Sequence, residues 1–227
     1  MYRILACCLI LLALAGTAGA HFVFIVPDEG GSTARVVFSD DLSPDEAVPV
    51  SKIASTKLTL RSGERKPTAL DWKKAEHHYD VKLPGKGTRV VQGKTEYGVL
   101  TKGKDKKETF LLYYHPRAVI GTPKEAMKPD ADLPVEIVPV FADGKLRLLV
   151  AAAGKPLADA EVTVMLPGDK KQSKKVTTDK KGLTEAFDGP GRYGAWVRHS
   201  EARSGEHDGK KYDEVRHYAT LVVTLPK

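Results

Sequence analysis

Lys145–Gly168 reads KLRLLVAAAGKPLADAEVTVMLPG: two short apolar runs, each closed by a glycine, with a Gly-x-Pro-Leu turn between them. Pro156 fixes φ for a tight turn, and small Ala160 suits a strand position where space is limited. Neither run sustains a 3.6-residue apolar stripe, and both are bounded by turn residues, so both read as strands. The same pattern continues downstream through KKVTTD, LTEAFD, RYGAWVRHS and VRHYATLVVTLP. Within TTDKKG, Asp179 is placed to hydrogen-bond the turn backbone, and Gly182 can take a positive φ.

Upstream the texture is the same. HFVFIVP, ARVVFSD, TKLTLRSG, YDVKLPG, TRVVQGK, YGVLTKG and TFLLYYHP are short runs rich in Val, Leu, Phe and Tyr. Only SKIASTKL offers a helical turn. The strand pattern pauses at VIGTPKEAMKPDADLP, where three prolines and several charges mark a linker. The chain is therefore expected to be all-β: two antiparallel β-sandwich domains, residues 21–130 and 131–227, after a signal peptide over residues 1–20. A single continuous sandwich is the competing arrangement.

The signal is read from Arg3, an uncharged run from Ile4 to Ala15, and small residues at Ala18 and Ala20. Both cysteines, Cys7 and Cys8, fall inside it, so the expected mature chain has no disulfide or thiolate site. The expected location is outside the cytoplasm, most simply a periplasm. The net charge of +7 comes largely from lysine clusters such as KGKDKKE and GDKKQSKK. They sit beside Gly and Asp without interleaved aromatics, which favours charged loop tips over a nucleic-acid partner.

The series Gly-x-Pro-Leu, Ala-x-Val-x-Val, Thr-Asp-x-x-Gly and Pro-Gly-x-Tyr, running from Gly154 to Tyr193, resembles the transthyretin-like, peptidase-regulatory type of immunoglobulin-like module. That resemblance implies a sandwich for the second half and little about its role. The whole layout resembles the periplasmic component family associated with nickel and cobalt uptake (NikM-like proteins). The matching features are the signal, Ala20-His21 followed by an apolar strand to Pro27, and GKPLADAEVTV. What this implies is an exported metal-handling protein, with a membrane metal transporter as partner.

Cleavage after Ala20 would leave His21 as the first residue, offering an α-amine and an imidazole on one residue. Their reference pKa values are roughly 7.7–8.0 and 6.5, so a metal ion can displace their protons near neutrality. His115 closes TFLLYYHP, with Tyr113 on its own face; Pro116 is expected to end that strand and leave the imidazole at a rim. His199 and His217 flank Asp208-Gly209, a hairpin dipeptide, and 208 is their midpoint. A strict two-residue turn pairs 199 with 218 and puts His217 on the opposite face; a bulge or wider loop would set the two histidines opposite one another. His207 reads as part of a charged tip, and His77 and His78 as outside any site.

The leading set is thus His21, His115, His199 and His217, nitrogen donors suited to nickel, cobalt, copper or zinc. No Ser-His-Asp spacing, phosphate loop or nucleotide fingerprint is present, and the chain is expected not to be an enzyme. A histidine terminus with a second histidine and a tyrosine also resembles the copper centre of oxidative polysaccharide-cleaving monooxygenases, but no aromatic platform is evident beyond Trp72 and Trp196. The alternative to metal binding is a non-enzymatic interaction module for a protein or glycan.

Overall fold

The apolar runs form seventeen strands and one short 3-10 turn in a computed structural model describing residues 21–63, 65–103, 107–123, 127–168 and 172–226. The expected signal peptide, with Cys7 and Cys8, lies outside the described residues. In chain order the first strands are β1 (Phe22–Pro27), β2 (Thr33–Ser39), β3 (Lys57–Ser62), β4 (Thr68–Leu70), β5 (Trp72–Lys74) and β6 (Tyr79–Lys82). Two long strands follow, β7 (Arg89–Lys102) and β8 (Glu108–Ile120). After the linker come β9 (Glu136–Ala142), β10 (Lys145–Ala152), β11 (Lys155–Pro156), β12 (Glu161–Met165) and β13 (Ser173–Thr177). The last are β14 (Gly191–Glu201), β15 (Gly205–His207), β16 (Lys210–Tyr212) and β17 (Glu214–Leu225). The 3-10 turn, Val50–Ile53, is the helical turn expected in SKIASTKL. No α-helix occurs among the described residues, as the sequence pattern predicts.

A central eight-stranded sheet runs in the order β13-β12-β14-β17-β8-β7-β3-β4. One layer is the four-stranded sheet β1-β2-β6-β5; the other is β11-β10-β9. Side-chain alternation shows how they stack. On β8, Phe110, Leu112 and Tyr114 enter one core with Val23, Phe24 and Ile25 of β1. On β17, Ala219, Leu221, Val223 and Leu225 enter a second core with Ile137, Leu146 and Leu148. The central sheet therefore has a face I under β1 and a face II under β9 and β10. Covered on both sides, β17 must be apolar at nearly every position, which is why ATLVVTL does not alternate.

The expected pairing was antiparallel throughout. The structure differs at one place: β17 runs parallel to β8, with Glu214 opposite Phe110 and Val223 opposite Val119. Strands from both sides of residue 131 thus meet in one sheet, with a core on each of its faces. A buried ion pair ties face II to the third layer. Arg117 Nη2 lies 2.5 Å from Glu136 Oε2, with both side chains almost fully buried, and Arg117 Nε donates to Gln92 Oε1 at 2.8 Å. The backbone N–H of Asp130 also donates to Glu136.

The TTDKKG turn behaves as its residues predict. Asp179 Oδ1 accepts from the N–H groups of Lys181 at 2.8 Å and Leu183 at 2.9 Å. Gly182 sits at φ +73°, and a Cβ there would lie 2.7 Å from the Val150 carbonyl oxygen. Strained backbone and a clash with fixed main chain combine, so Gly182→Ala is expected to cost about 1–3 kcal/mol of stability. Urea denaturation of the variant against the parent measures it.

Candidate metal centre

Face II turns polar beyond the end of the second core. Alternation carries Tyr113 and His115 of β8 to this face, with His217 of β17 and His199 of β14 beside them. His199 and His217 are direct register partners. The extra residue this requires is visible. Asp208 and Gly209, both at positive φ, make a two-residue turn that pairs His207 with Lys210. Below it, residues 202–204 oppose only 213 and 214, and that one-residue excess restores the histidine pairing.

His115 is not at a rim. β8 continues through Pro116 to Ile120 because β7 offers Gly93 opposite, where a Cβ would lie 2.7 Å from Pro116 Cγ. Proline lacks a ladder N–H, and the β7–β8 register has no partners between Gln92↔Arg117 and Thr95↔Tyr114. The strand survives a proline because its neighbour is a glycine. His115 is consequently mid-strand and only 3% exposed, as is His217.

The two imidazoles meet. His115 Nε2 is 3.0 Å from His217 Nδ1, so one of these nitrogens donates to the other. His115 Nδ1 and His217 Nε2 have no hydrogen-bond partner. The latter faces Glu201 Oε1 at 3.1 Å, an ion-pair distance without hydrogen-bond alignment. Tyr113 stacks on the His217 ring at 5.5 Å. Burial pushes the pKa of His115 down to about 3, with His217 and Lys94 adding to the effect. Burial also lowers His217, against the pull of Glu201 and with the push of His199. Both shifts favour the neutral form of the rings.

Around this pair lies a ring of charge. Tyr113 donates to Glu96 Oε2 at 3.0 Å; burial and that carboxylate raise its pKa to about 12. His207, on the β15–β16 hairpin, approaches Glu96 Oε1 at 3.5 Å. Among the described residues no group of three or more His, Cys, Asp or Glu side chains is disposed to hold a metal ion. His77 and His78 lie elsewhere, beside Glu76 and Asp80.

His21 does not join the others. It lies on the face I side, where its carbonyl accepts from Tyr114 Oη at 3.1 Å and its Nε2 lies 2.6 Å from Asp45 Oδ2. Its ring sits against Phe38 at 5.5 Å. The structure thus brings His115, His199 and His217 to one face and leaves His21 on the other. Glu201 went unread in the sequence, although it stands two residues after His199, and period-two alternation places it on the same face.

An all-β protein with a buried histidine pair on its central sheet is the class this geometry defines. The family described as a domain of unknown function, DUF4198, matches residues 18–201, and the chain belongs to it. No curated protein matches the chain. Among solved structures, the tetra-tandem repeat from the extending region of a large adhesion protein shares 10% identity at a TM-score of 0.24. The match covers 90% of this chain, which spans 49% of that one. The D0-D1 domain of Intimin shares 14% identity at a TM-score of 0.19, covering 91% of this chain and 97% of that one. Overlaps so low carry no argument about function.

Proposed function

We propose that the protein is an exported binding protein for a transition-metal ion of the nickel, cobalt, copper and zinc group, with His115 and His217 as its nitrogen donors. The observation that carries this reading is the buried contact between His115 Nε2 and His217 Nδ1 at 3.0 Å. Metal–nitrogen bonds of roughly 2.0–2.1 Å place two donors on one ion about 3 Å apart when they meet near a right angle. Glu201 supports the arrangement: facing His217 Nε2, it favours the tautomer that keeps the proton there and leaves Nδ1 turned toward His115. His199, opposite His217, is the nearest further imidazole in register.

A set of only two protein donors suits cargo that must be released. Capture outside the cytoplasm and presentation to a membrane metal transporter is the role this gives. The resemblance of the chain's layout to nickel- and cobalt-uptake components, and of residues 131–227 to a transthyretin-like module, supports it. Capture and release of an ion require no chemistry at a substrate bond.

Calorimetric titration with Ni(II), Co(II), Cu(II) and Zn(II) tests the reading. His217→Gln is expected to weaken uptake at least tenfold, and Glu201→Gln by roughly ten- to a hundredfold through the lost orienting carboxylate. One residue added ahead of His21 is expected to change nothing, because His21 is on the opposite face. No binding of any of the four metals, or equal binding by His217→Gln, removes the proposal in favour of an interaction module.

A further inference from the structure

Trp72 and Trp196 fare differently in the fold. The Trp72 indole sits against Tyr79 at 4.1 Å and donates to the Thr56 carbonyl at 3.2 Å. Trp196 is half-buried on face I, where Phe22 stacks on it at 4.3 Å and Tyr218 meets it edge-on at 6.1 Å. Its Nε1 is neither buried nor hydrogen-bonded among the described residues, and the same holds for Tyr218 Oη. Rings of these two types ordinarily give their polar atom a protein partner when they are packed into a fold.

Both rings line a cleft of ≈ 450 Å³, a size that suits a small ligand. Arg198, two residues after Trp196 and the register partner of Tyr218, lies on the same face of the sheet. The turn from Leu157 to Glu161 forms another wall. Buried Thr178 pins that turn: its Oγ1 accepts from the Ala160 N–H at 2.9 Å and donates to the Leu157 carbonyl at 2.7 Å. The Thr178 carbonyl accepts from the Asp159 N–H at 3.1 Å. A wall held in this way costs little ordering when a ligand arrives.

The rim is balanced in charge. Arg198 and Asp159 are both exposed, and neither has an ion-pair partner among the described residues; Glu161 is answered by Lys175 at 2.9 Å. One guanidinium and one carboxylate leave little net field to draw in an ion of either sign. With the indole N–H and the phenol they set donors and acceptors around an aromatic surface. The matching ligand is neutral, apolar on a flat face and dense in hydroxyls at its edge. An all-equatorial pyranose has that form, with C–H bonds on its faces and hydroxyls around its rim. The geometry points to a binding site for a neutral oligosaccharide of the β-glucan kind, one sugar ring laid against Trp196 and Tyr218 and its hydroxyls bonded by Arg198 and Asp159. The site is on face I, apart from the histidine pair on face II, and stands or falls independently of metal binding.

Cellotriose, the glucosamine trimer of chitosan and trigalacturonate are neutral, cationic and anionic sugar chains, so ligand-observed NMR titration of the full chain with each reads both the platform and its rim. Cellotriose is expected to bind with millimolar or tighter affinity, and neither charged trimer to bind tighter. Trp196→Ala should weaken cellotriose at least tenfold, whereas Trp196→Tyr, which keeps an aromatic face against Phe22, should retain most of the affinity. Arg198→Ala, an exposed substitution, should weaken it severalfold with the fold intact. His217→Gln should leave it unchanged, which keeps this result distinct from the metal titration. Absence of cellotriose binding, tighter binding of either charged trimer, or full affinity in Arg198→Ala overturns the assignment.

Discussion

Glu136→Leu is expected to lower the unfolding free energy by about 3–5 kcal/mol, among the largest losses from any single substitution in this chain. The carboxylate is buried between β8 and β9, and its removal leaves the Arg117 guanidinium without its counter-charge. Arg117 Nη1 already lacks a hydrogen-bond partner, so little remains to hold the stranded charge beyond the bond to Gln92. The double variant Arg117→Met/Glu136→Leu should recover most of the loss, because it removes both desolvated charges and keeps the volume. Chemical denaturation of the three variants measures the cycle. A single variant as stable as the parent would show that the pair is not buried as described.

Acid should destabilise the fold through His115, on the order of 4 kcal/mol between neutrality and about pH 3. In the unfolded chain an imidazole takes up a proton near pH 6.5. In the folded chain His115 resists until about pH 3, since burial, His217 and Lys94 all oppose the charge. The unfolded state therefore binds more protons throughout that window. Stability from this group is fully present above about pH 6.5 and falls by about 1.4 kcal/mol per pH unit as the pH drops. Burial and His199 push His217 the same way, while Glu201 resists. Urea midpoints at pH 7, 5 and 4 for the parent and His115→Leu give the test. The parent should lose markedly more than the variant, and parallel slopes would contradict the burial of the ring.

Much of this site could be read from local pattern. Asp208-Gly209 announces its turn, and the symmetric spacing of His199 and His217 about it needs only one extra loop residue, which residues 202–204 supply against 213 and 214. What could not be read were pairings across distance. His115 meets His217 because β8 lies beside β17. Nothing near either residue encodes that neighbour. Pro116 looked like a terminus because the glycine that accommodates it, Gly93, belongs to another strand. His21 looked like a partner for the other histidines because its place on the opposite face depends on β1 packing against Tyr114 and Tyr218. The linker near residue 131 was legible as composition, yet the sheet that strands from both sides share is a tertiary fact.

The parallel seam between β8 and β17 also sets an order of assembly. β8 is synthesised about a hundred residues before the strand that covers its flank. Until then its unpaired amides form an adhesive edge in the middle of the growing molecule. Such a high-contact-order closure is slow, so folding should be limited by the arrival of Glu214–Leu225. A chain trimmed within that segment would present the open seam to its neighbours and aggregate.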